Sequence, residues 1–147
     1  MTPEESRRDE VARWLAQARK DLNAARLLAS AEPSRSVFHS QQAAEKAAKA
    51  LLTFHDVTFR KTHDLNELGG QCAALNPSLA PLFKDASDLT DYAVVFRCLD
   101  APRDPDESEA TAALETAARV VEQVSALVAP PAGSALRTTD PRPQDRR

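Results

Sequence analysis

In three long stretches of this chain the apolar residues step by alternating threes and fours. They are Val11, Leu15, Ala18, Leu22, Ala25 and Ala29; then Leu79, Leu82, Ala86, Leu89, Ala93 and Phe96; then Ala110, Ala113, Ala117, Val120, Val124 and Leu127. Such steps keep the side chains on one face of an α-helix and do not suit a strand, whose period is two. Much of the pattern is carried by alanine, the best helix former and a poor strand former. The fold class that follows is all-α.

Local signals divide the helices. Thr2, Pro3 and Glu5 spell an N-cap, a proline at the first helical position and a reciprocal acid at the third, opening a helix of about 25 residues that Glu32-Pro33-Ser34 closes. A second helix is predicted from about Arg35 to Val57, with Val37, Ala44, Ala48, Leu51 and Leu52 as its stripe and Phe38 alongside. A short third begins with Thr62 or Asp64 as its cap and has Gly69-Gly70 inside it or near its end. Asn76-Pro77 opens a fourth that ends near Arg97, and Asp104, Pro105 and Glu107 form the strongest helix start of the chain. Pro130-Pro131 stops the fifth. Short connections between long helices predict an antiparallel bundle of four main helices plus one short one, a single domain over residues 1–131. Residues 132–147 hold four arginines, two aspartates, two prolines and little to bury, and are expected to be a flexible tail.

Composition narrows the function classes. The chain has 147 residues, a formal charge of −3 and only three glycines, with no GxGxxG and no GxxxxGK[ST], so glycine-built phosphate loops are excluded. Residues 1–131 carry 15 basic and 20 acidic side chains, which excludes a general nucleic-acid binder. No apolar run approaches the roughly 20 residues of a membrane span. The first residues lack the cationic and apolar regions of a signal peptide, and two cysteines make no disulfide framework; a cytoplasmic protein without membrane contact is expected. Alanine-rich faces bury little area alone, so a homodimer is the natural way to complete the core.

Catalytic signatures are scarce. There is no GxSxG, HExxH or CxxC, and Cys72 and Cys98 sit among apolar neighbours as structural residues. His39 with His55, or His63 with Glu67, supplies too few ligands for a metal, so neither a metal nor a cofactor is expected. Eight carboxylates between Asp85 and Glu109 read as a solvated face. The second helix carries a polar file, His39, Gln42 and Lys46 at steps of three and four, with Gln41, Glu45 and Lys49 beside it. That file either holds an anionic ligand or a partner's backbone, or is a solvent-exposed stripe with a Glu45–Lys49 pair.

The segment Phe38-His39-Ser40-Gln41-Gln42-Ala43-Ala44-Glu45-Lys46-Ala47-Ala48-Lys49-Ala50-Leu51-Leu52 resembles the signature second helix of the HEPN domain family. Lys61-Thr62-His63-Asp64-Leu65 matches the K-T-H-D-L that follows it there, and Trp14 to Leu22 and Thr90 to Arg97 also fit. The resemblance covers residues 10 to 128 in order. It implies an all-α bundle that forms homodimers, often encoded beside a minimal nucleotidyltransferase as a toxin–antitoxin pair, with nucleotide binding in the family's name and ribonuclease activity in some branches. Those ribonucleases use an Arg followed, after four to six intervening residues, by a His. Here Arg97 is followed by Cys98-Leu99-Asp100-Ala101-Pro102-Arg103-Asp104, and no histidine lies beyond His63. The resemblance therefore implies a binding or regulatory module rather than a nuclease; a divergent ribonuclease and a purely structural interaction module are the alternatives. Carried over by position, the ligand-binding candidates are His39, Gln42, Lys46, Lys61, His63, Asp64, Tyr92 and Arg97. Lys46, Lys61 and Arg97 would capture phosphate or an acidic partner, and His39, Gln42 and Tyr92 would orient it. The alternative is a structural polar core formed by the same residues, with Asp64 as a helix cap and Arg97 as a buried salt-bridge partner.

Overall fold

The computed structural model describes residues 1–97 and 104–129, with 90–97 described as helical backbone only. Five α-helices account for most of it, and no strand occurs among the described residues: α1 (Pro3–Leu28), α2 (Pro33–Phe54), α3 (Leu65–Leu75), α4 (Ala80–Arg97) and α5 (Glu107–Val128). The tail expected at 132–147 and the stop at Pro130-Pro131 lie outside the described residues.

The first helix starts as its sequence dictates. Thr2 Oγ1 accepts from Glu5 N at 3.1 Å while Thr2 N donates to Glu5 Oε2 at 2.8 Å, a closed capping box with Pro3 just inside it. Other boundaries shift. Pro33, not Arg35, opens α2, because proline suits the first turn, where its missing N–H has no partner in any case. Its end comes at Phe54 because Asp56 takes a left-handed backbone, φ 56°, and Val57 N donates back to Leu52 O at 2.9 Å. Asn76-Pro77 opens only a short 3₁₀ turn, Pro77–Leu79, before α4. Pro81 cannot donate the N–H that an α-helix begun at Pro77 would require. The fifth helix is capped not by Asp104 but by Asp106, whose carboxylate accepts from Glu109 N at 2.8 Å in a second closed box. Both acids are followed by Glu three residues on; Pro105 is buried, and the helix begins beyond it.

Helix α2 is central: it packs against each of the other four. Thirteen of its 22 residues are buried, more than one face can supply, so it is enclosed rather than amphipathic. Ala43, Ala44, Ala47, Ala48 and Ala50 are fully inaccessible, which lets neighbouring helix axes approach closely. Around them Leu15 and Leu22 of α1, Leu65 and Leu68 of α3, Phe83 and Leu89 of α4, and Val120 and Val124 of α5 fill the core. Gly69 lies mid-helix in α3 for a packing reason: a Cβ there would meet Phe83 Cβ at 2.9 Å.

Candidate functional site

Because α2 is enclosed, its polar residues are forced against neighbours, and two carboxylates collect them. Asp21 of α1 is buried at the edge of that helix's apolar stripe, one residue before Leu22. Its Oδ1 lies 2.8 Å from His39 Nδ1 and its Oδ2 accepts from Lys46 Nζ at 2.5 Å. His39 and Lys46 are seven residues apart, two turns on one face, so one carboxylate on the facing helix spans both. Ser36 Oγ reinforces the same seam by donating to Ala25 O at 2.7 Å.

The second carboxylate is Glu45, whose side chain is 1% exposed. Gln41 Nε2 donates to Glu45 Oε1 at 2.5 Å and to His63 O at 3.3 Å, and His63 Nδ1 lies 3.0 Å from Glu45 Oε2. Burial pushes the Glu45 carboxyl above the usual carboxylate range, opposed by the hydrogen bond from His63 and by the charges of His63, Lys49 and Lys46. The cluster fastens the segment before α3 onto α2. Arg60 holds the same segment from outside: Nε and a terminal nitrogen bind Glu67 at 2.8 and 2.7 Å, which keeps the Glu67 carboxyl below its ordinary range.

The predicted site residues therefore separate. His39 and Lys46 share Asp21, while His63 belongs with Glu45 and Gln41. Gln42 is half-buried and makes no side-chain hydrogen bond among the described residues. Asp64 is the α3 cap, accepting from Asn66 N at 2.9 Å. Lys61 is exposed and has no ion-pair partner among the described residues. Tyr92 and Arg97 lie on α4, in the stretch whose side chains are not described. The solvent-exposed stripe with a Glu45–Lys49 pair is corrected: Glu45 turns inward, and Lys49 Nζ lies 5.3 Å from the centre of the Trp14 ring. No cluster of metal-ligating side chains occurs among the described residues.

Sequence reasoning missed Asp21 and Glu45 as the organising groups. The available signals were an acid on the buried edge of the α1 stripe and an acid between two alanine pairs, Ala43-Ala44 and Ala47-Ala48.

Fold and site together define a helical bundle whose family-signature polar residues are turned inward onto two carboxylates. A profile of the HEPN domain family matches residues 11–127, and the chain belongs to that family. The crystal structure of an archaeal HEPN homologue resembles it with a TM-score of 0.65 and 23% sequence identity, covering 81% of this chain and 98% of the other. That likeness is one of fold. Among curated protein sequences none is significantly similar to the chain. No helix among the described residues is long and apolar enough to cross a membrane.

Proposed function

We propose that this HEPN-family chain is a binding and regulatory module, a homodimer that takes a nucleotide and pairs with a nucleotidyltransferase-type partner in a toxin–antitoxin-like system. The observation that carries the reading is the inward commitment of the signature residues. His39 and Lys46 tie α2 to α1 and Gln41 ties α2 to the segment before α3, leaving them little freedom to act on a bound RNA. The lack of any histidine after Arg97 supports the same reading, since the family's ribonucleases need the imidazole for proton transfer and the guanidinium for phosphate charge.

With Lys46 engaged by Asp21, phosphate capture falls to Lys61, which is exposed and two residues before the exposed His63. Recognition of an acidic or phosphate group there would be by side chains alone, as the shortage of glycine requires. Support for a dimer comes from the alanine-built core and from Leu27 and Leu127, 74% and 40% exposed on α1 and α5.

Light scattering on the purified chain, alone and with the product of any adjacent nucleotidyltransferase reading frame, tests the assembly. A particle of twice 16.0 kDa that gains mass with the partner is expected; a monomer that ignores the partner overturns it. Calorimetric titration with ATP and GTP tests the nucleotide, with heat at millimolar concentration expected and lost in Lys61→Ala.

A further inference from the structure

Of the three histidines, only His63 combines an open ring with a fixed one. Its side chain is 78% exposed, yet Nδ1 lies 3.0 Å from a carboxylate that is 1% exposed. The Glu45 carboxylate has its other oxygen occupied by the Gln41 amide N–H. When Glu45 is ionised it only accepts, so Nδ1 must carry the proton and Nε2 presents its lone pair outward. His39 has a similar carboxylate contact but is 31% exposed and shares its carboxylate with Lys46. His55 is exposed, with only an edge contact to the Phe54 ring and no carboxylate among the described residues.

We propose that His63 is a nucleophilic imidazole and a site of phosphorylation at Nε2. The Nε2 lone pair forms a bond to phosphorus of a phosphoryl donor, and the bond from phosphorus to the leaving group breaks with its electron pair going to that group. The Nδ1 proton stays in place. The ring becomes a phosphoimidazolium whose positive charge faces the Glu45 carboxylate, so Glu45 acts as a positioning and charge-balancing residue rather than a base. Lys61, exposed two residues earlier, supplies positive charge for the incoming phosphoryl oxygens. The nearby acids are occupied: Asp64 accepts from Asn66 N, and Glu67 is held by Arg60.

Potassium phosphoramidate is the probe, with ammonia as its leaving group. The full chain is treated at pH 8, and peptide mass spectrometry with phosphorus NMR then reports the site and the ring nitrogen. His63 is expected to be phosphorylated first, at Nε2, on the order of 10-fold faster than His55 in the same molecules. Glu45→Gln is expected to bring the His63 rate down towards that of His55. Equal or faster labelling at His55, or labelling of His63 at Nδ1, overturns the proposal. So does an unchanged His63 rate in folded Glu45→Gln. If that variant does not fold, the ratio between His63 and His55 in the unaltered chain still decides.

Discussion

Cys72 donates to Ala48 O at 3.5 Å from inside the core, and burial pushes its thiol up to about 12. Almost no thiolate exists there near neutrality, so Cys72 should resist iodoacetamide at pH 8 in the native chain and react fully in urea. Mass spectrometry of the Cys72 peptide checks this; rapid native labelling would contradict it. Asp21 carries a larger consequence. Replacing it with Ala leaves His39 and Lys46 partly buried without their shared acceptor, for an expected loss of about 2–3 kcal/mol in urea unfolding, whereas Lys61→Ala should cost almost nothing. Equal losses would mean that the carboxylate is not a structural tie. The positions of His39 and Lys46 on one face were legible in their spacing. Their partner was not, because a carboxylate on another helix has no fixed separation along the chain.

The element scale was the more legible one. Thr2 with Glu5, Asp64 and Asn76 name local hydrogen bonds that form where the sequence puts them. The stripes from Val11 to Ala25 and from Ala110 to Val124 are buried as their spacing predicts, whereas Leu127 is exposed and Ala93 and Phe96 lie outside the described side chains. The misplacements arise where tertiary structure decides between equal local choices, as with Asp104 and Asp106, or where a second proline intervenes, as with Pro81. The two glycines of α3 separate packing from propensity. Gly69→Ala drives a Cβ against Phe83 and should destabilise by about 1–3 kcal/mol. Gly70 has nothing within 4 Å, so Gly70→Ala should stabilise by about 1 kcal/mol through helix propensity. Opposite signs in two neighbouring variants, read from denaturant midpoints, are the expected result; the same sign in both would contradict the α3–α4 approach.

At the scale of the whole molecule, α2 is both the hydrophobic centre and the holder of the buried Glu45. Periodicity identified α2 as a helix but not as an enclosed one, since an alanine-rich segment looks alike on a surface or in a core. Enclosure has a pH signature. The folded chain holds the Glu45 proton more tightly than the unfolded chain, so the cost of burying the charge is absent well below pH 4.5. It sets in as pH rises through 4.5 to the raised value. Glu45→Gln carries no such charge and should gain stability relative to the unaltered chain as pH rises through that window. A difference in unfolding free energy that does not move with pH would contradict the assignment.

A HEPN chain that binds and regulates, as proposed, leaves RNA uncut. Incubation of the purified protein with single-stranded RNA, with Arg97→Ala as control, tests this. Intact RNA in both samples is the predicted result; cleavage by the unaltered chain that disappears in Arg97→Ala would contradict the claim.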